Sequence, residues 1–165
     1  MDISGALVIA EYRRWYPQYS PSDVFFSATT AGRSWRAAIV EAELRAAQGS
    51  PAFAYQLDWG SPQDGGKWGA FHTLDIPLMF GTLTARESMT GDGAEARRVS
   101  AVMQGALLAF ARSGDPNHPD LARWDPYTLP RRTTMVFNVE SRLEDDPRGA
   151  ERRLFAKVPF IQQGT

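Results

Sequence analysis

Residues 51–75 read PAFAYQLDWGSPQDGGKWGAFHTLD, and three signals follow one another in them. Ala52 to Trp59 is a short apolar and aromatic run ended by Gly60-Ser61-Pro62, the pattern of a β-strand. A polar, glycine-rich loop comes next, the kind of segment that carries functional residues more often than core elements do. Then His72, one of only two histidines in the chain, stands between Phe71 and the apolar run Ile76–Phe80, with Asp75 three residues later. A loop beyond the carboxyl end of a sheet strand is where α/β proteins place reactive groups. A lone histidine among aromatic residues also fits a core, and residue type alone leaves both readings open.

Working outward, the flanks are mainly helical. Residues 3–15 form a helix that stops before Tyr16-Pro17, because a residue preceding proline avoids the helical region. Ser20-Pro21-Ser22-Asp23 has the composition of a helix start, and the helical pattern runs to Gln48, with Gly49 as its stop. A helix over 93–113 shows one apolar stripe (Val99, Val102, Met103, Ala106, Leu107, Phe110). Asp92 and Glu95 are placed for a capping box. The stripe is expected to pack on the strand and on the helix around 35–44. After the turn GDPNHPD (114–120) come a β-branched strand at 133–139, a short second strand at 141–144, and a charged helix at 147–156.

The result is an α/β pattern with too few strands. A strand as apolar as 52–59 expects a neighbour on each side, and two or three strands cannot supply a buried parallel sheet. Residues 1–165 therefore read as a single segment of an α/β protein whose other strands lie elsewhere.

Composition narrows the chemistry. A formal net charge of −1, with no dense basic patch, gives no nucleic-acid footprint. The absence of cysteine removes disulfides, thiolate metal sites and cysteine nucleophiles. The run Ile3–Ala10 is too short to span a bilayer and lacks the basic start of a signal peptide. No membrane partner is expected, and location stays open with the cytoplasm favoured. No phosphate-binding, dinucleotide or metal motif is present, so neither cofactor nor metal is expected. The stretch GRSWR (32–36) begins like a nucleophile elbow, but Arg36 occupies the position of the obligatory second glycine and Ser34 lies in a helical pattern. Ser34 therefore reads as a surface or capping serine, and His118 as a polar turn residue.

Four stretches, in order, carry a resemblance. GGKWGAFHTLDIPLMFG (65–81) closely resembles the region around the catalytic histidine of the type-B carboxylesterases, the family of the para-nitrobenzyl esterases and cholinesterases. FARSGDPNHPDLARWDPY (110–127) resembles a later segment of that family, RRTTMVFNVESRLEDDPR (131–148) its closing hairpin, and AYQLDW (54–59) its strand before the histidine loop. The order and spacing hold from about Tyr12 to Phe155.

The resemblance implies the C-terminal part of an α/β-hydrolase fold, with helices packed on a few late strands of the sheet. It implies a serine esterase acting on a small-molecule carboxylic ester, with His72 matching the general base of a Ser–Glu/Asp–His triad. Trp68 and Phe71 would line the substrate pocket, and Asp75 would have a structural role in orienting the loop. The family's nucleophile elbow, oxyanion-hole glycines and triad acid precede this region and are not in the chain. The implied partner is then the upstream part of the same fold, or a second copy joined through an exposed strand edge. Two other readings compete with this one. One is a non-catalytic module that self-associates or binds a partner. The other is a small hydrolase with a rebuilt site, using Ser61 or Ser34 with His72 and Asp58 or Asp64.

Overall fold

The structure is a computed structural model that describes residues 3–161. The chain divides into two compact units, one of Met1–Ser50 with Pro147–Thr165 and one of Pro51–Asp146.

The first unit is helical: α1 (Gly5–Trp15), α2 (Pro21–Gly32), α3 (Ser34–Ala47) and α6 (Gly149–Phe155). The Ser20 start is a complete capping box, in which the Ser20 side chain accepts from the Asp23 amide and Asp23 accepts from the Ser20 amide. The single helix expected over 20–48 is two helices. They part at Arg33, whose backbone (φ −123°, ψ −97°) is not helical. Gly32, just before the break, lies against the Phe155 ring, where a Cβ would come within 3.1 Å of the ring edge. Tyr12, Val24, Ala31 and Phe155 are the buried centre of this unit, with Trp15, Tyr16, Tyr19 and Trp35 packed around them.

Glu151 of α6 is buried in this same unit, 1% exposed. Its carboxylate accepts from the hydroxyls of Tyr12 and Tyr16, the latter at 2.7 Å, and from the Arg148 guanidinium at 2.5 and 2.8 Å. Arg148 lies over the Trp35 ring at 4.9 Å. The charged helix of the sequence thus turns one carboxylate inward because partners are there to satisfy it.

The second unit holds a three-stranded sheet in the order β1 (Ala54–Leu57), β2 (Thr133–Phe137), β3 (Arg142–Asp145). β1 runs parallel to β2 with Ala54 opposite Thr134, and β3 runs antiparallel to it. Every residue of β2 is buried. The strand expected at 52–59 is shorter and less buried than its composition implied. Its ladder ends where the Asp58 and Trp59 amides both turn to the Phe137 carbonyl, and Tyr55 is 40% exposed. Among the described residues β1 pairs on one side only, leaving an edge of unpaired backbone groups.

α5 (Ala94–Ser113) is the main packing element of this unit. Gly93 is its N-cap, and no side chain caps it. The expected Asp92–Glu95 box fails because Asp92 lies one residue too early; its carboxylate is 3.8 Å from Arg97 instead. The buried face is Ala96, Val99, Ser100, Met103 and Ala106. Leu107 is half-buried and Phe110 exposed, so the stripe is rotated from its predicted centre. It packs with α4 (Asp75–Phe80), with Trp59 and Trp124, and with Met135 and Phe137 of β2. The expected partner at 35–44 belongs to the helical unit. Met103→Ala should cost about 2–5 kcal/mol by leaving a cavity among these rings. Urea unfolding measures it, and a loss under about 1 kcal/mol would show that the face is not packed.

Candidate functional site

The segment that follows β1 is held at its base by backbone. Gly60 and Gly69 lie against each other so closely that a Cβ on Gly60 would stand 3.1 Å from the Gly69 Cα. The Ser61 amide donates to the Gly69 carbonyl at 3.0 Å. Gly69 itself has φ +55°, a left-handed conformation that glycine adopts without strain. The loop is therefore cinched between 60 and 69, and the chain is delivered to residues 70–75 just past the end of β1.

Inside the loop, the Asp64 carboxylate accepts from Trp68 Nε1 at 2.9 Å and lies 3.1 Å from Lys67 Nζ. The Trp68 bond, and next the Lys67 bond and charge, hold the Asp64 carboxyl below the usual carboxylate range. Lys67 also lies 4.7 Å over the Trp68 ring. Trp68 is thus oriented although it is 49% exposed.

His72 lies on the turn between this loop and α4 and is exposed. Its neighbours are the anchors: Phe71 packs against the core cluster and Leu74 is fully buried within it. The turn is closed by the Leu74 amide donating to Phe71 O at 3.2 Å and the Ile76 amide donating to Thr73 O at 3.1 Å. Thr73 takes φ +73°, an uncommon state for a β-branched residue. Asp75, the first residue of α4, accepts from the Tyr55 hydroxyl of β1 at 2.7 Å. Burial, then the bond to Asp75 and its charge, push the Tyr55 hydroxyl up, so it stays protonated as the donor. This pair links α4 to the sheet, and neither residue type nor local spacing signalled it.

The residues of a rebuilt site are not assembled. Ser61 is buried; its Oγ donates to Met89 O at 2.6 Å and accepts from the Gln63 amide. That serine braces two loops. Asp58 accepts from Gln56 Nε2 at 2.7 Å, and Asp64 is engaged by Trp68 and Lys67. Ser34 is an exposed first residue of α3 in the helical unit. His118 is structural: its Nε2–H donates to the Val102 carbonyl at 3.0 Å, and its ring lies against Gly105 of α5. Two surface depressions of this unit, one around Gly81, Thr84 and Arg97 and one around Gln63, Thr84 and Met89, include none of His72, Trp68 and Phe71. Among the described residues no group of three or more histidine and carboxylate side chains could hold a metal, and no helix is long and apolar enough to cross a membrane.

The fold has relatives. Over 121 residues the chain is 30% identical to the para-nitrobenzyl esterase of Bacillus subtilis (strain 168), a match that covers 72% of this chain and 24% of that protein. It is 37% identical over 94 residues to the phenmedipham hydrolase of Pseudarthrobacter oxydans, covering 54% of this chain and 19% of that one. A crystal structure of a Geobacillus stearothermophilus carboxylesterase superposes on 93% of this chain and 32% of its own, with a TM-score of 0.77 and 28% identity. The chain thus spans about a fifth to a third of the length of these proteins, and its helices and small sheet are part of an α/β-hydrolase fold. The model of the carboxylesterase family matches residues 25–155, which include β1, the His72 turn and the β2–β3 hairpin; the chain belongs to the carboxylesterase family.

Proposed function

We propose that this chain is the histidine-bearing part of a serine carboxylesterase that hydrolyses small carboxylic esters. One observation carries the reading: within the segment matched to the family, His72 is exposed on a turn beyond the carboxyl end of β1, with its flanks anchored. The serine, the oxyanion-hole donors and the triad acid come from the upstream part of the fold. His72 takes the serine hydroxyl proton as the serine oxygen attacks the ester carbonyl carbon, then gives that proton to the departing alcohol. The acyl-serine left behind is hydrolysed by water, whose proton His72 accepts and returns to the serine. Trp68 offers its exposed ring to the substrate, and Phe71 shapes the pocket floor from its packed position. The free edge of β1 takes a strand of the upstream part.

That edge also supports a second reading, in which the chain alone self-associates by strand pairing without catalysis. A chimera separates the possibilities. This chain replaces the matching part of the Bacillus subtilis para-nitrobenzyl esterase, and para-nitrophenyl butyrate turnover is measured beside the chain alone. Saturable turnover is expected in the chimera and none in the chain alone. Turnover by the chain alone that is lost in Ser61→Ala would overturn the proposal in favour of a rebuilt site. A folded chimera with no turnover would leave the non-catalytic module.

A further inference from the structure

We propose that Tyr55 is a positioning residue, which fixes the His72 turn through its hydrogen bond to Asp75. The inference rests on the reading of His72 as a general base and deepens it. The His72 imidazole has no hydrogen-bond partner among the described residues, and the side chain is exposed. With no hydrogen bond to hold the ring, its position follows the backbone of residues 71–75. Before the histidine that backbone is fixed by Phe71, packed on the core, and after it by Leu74, buried within the core. Next to Leu74 is Asp75, bonded at 2.7 Å to Tyr55, which ties the same end of the turn to the sheet. Between the anchors Thr73 holds φ +73°, a conformation that persists only where its surroundings impose it.

Tyr55 is suited to impose it. Its ring packs edge-on against Phe137 at 5.7 Å between centroids, so the hydroxyl is aimed from β1, which is paired to the fully buried β2. The hydroxyl stays protonated as a donor, and the partner oxygen belongs to the first residue of the helix that follows the turn. The ring is half outside the core, so removing the hydroxyl leaves the packing on Phe137 intact. The effect on the turn is then separable from an effect on the fold.

Backbone relaxation of the isotope-labelled full chain tests this. In Tyr55→Phe and Asp75→Ala the order parameter at the His72 amide should fall from the rigid range, about 0.85, to below about 0.6. His118, bonded to Val102, serves as internal control and should not change. Asp75→Asn keeps an acceptor oxygen for the tyrosine hydroxyl and should restore most of the order. An unchanged His72 order parameter in both Tyr55→Phe and Asp75→Ala would overturn the proposal. So would equal loosening at His118, which would mark a general structural loss. In the chimera, Tyr55→Phe should lower kcat about 10–100-fold with KM within about twofold, since misplacing a reacting group by about 1 Å costs on that order. If the unsubstituted chimera has no turnover, the esterase reading fails while relaxation still decides the clamp. If it turns over and Tyr55→Phe matches it, the clamp fails and the esterase reading stands.

Discussion

Replacing Glu151 by alanine is expected to cost about 3–5 kcal/mol of the stability of the helical unit. Glu151 is the acceptor for two tyrosine hydroxyls and a guanidinium at once. Without it, Arg148, whose side chain is 20% exposed, keeps its charge with, among the described residues, the Ser27 carbonyl at 3.4 Å and the Trp35 ring as company. An uncompensated buried charge of this kind is the costly outcome, far more so than the loss of one neutral bond. Arg148 also begins α6 from a left-handed backbone (φ +59°), so losing its partner frees the helix start. Glu151→Gln keeps an acceptor but drops the charge and should fall between alanine and the native residue. Chemical denaturation followed by circular dichroism measures both. A loss under about 1 kcal/mol for the alanine variant would show that the cluster is solvated.

The same cluster sets an alkaline limit. Burial, then the bond to Glu151 and its negative charge, push the Tyr12 and Tyr16 hydroxyls well above the ordinary tyrosine range. Both groups stay protonated in the folded chain, whereas in the unfolded chain they ionise near pH 10. Their stabilising contribution is whole below that pH. It is lost as pH rises further, by up to about 1.4 kcal/mol per pH unit for each group. Tyr12→Phe should remove one share of that slope between about pH 10 and 11.5.

Much of this architecture is legible in the residues, and the failures have particular causes. Ser20–Asp23 announced a helix start because a capping box is local. The break at Arg33 was invisible because it accompanies the contact of Gly32 with Phe155, far along the chain. Asp92 and Glu95 had the right spacing, but Gly93 took the cap. The aromatic run at 52–59 promised a buried strand, yet the fully buried strand is β2, whose two neighbours cover it. At the candidate site, a strand, a glycine loop and a histidine in sequence were enough to expect His72 past a strand end. The Tyr55–Asp75 bond was not readable, because it joins side chains twenty residues apart across a loop. Glu151 looked like one more charge on a charged helix, and its burial depends on Tyr12 of α1 and on Tyr16 just beyond that helix.

His72→Ala in the chimera is the most direct test of the account. If His72 is the general base, kcat for para-nitrophenyl butyrate should fall by about 10⁴–10⁶, the range seen when one member of a catalytic triad is removed. The substitution is at an exposed turn position, so stability should change by no more than about 0.5 kcal/mol, and the loss cannot be charged to unfolding. A chimera that remains folded, hydrolyses the ester before substitution and keeps its turnover within about tenfold after it would contradict the assignment of His72.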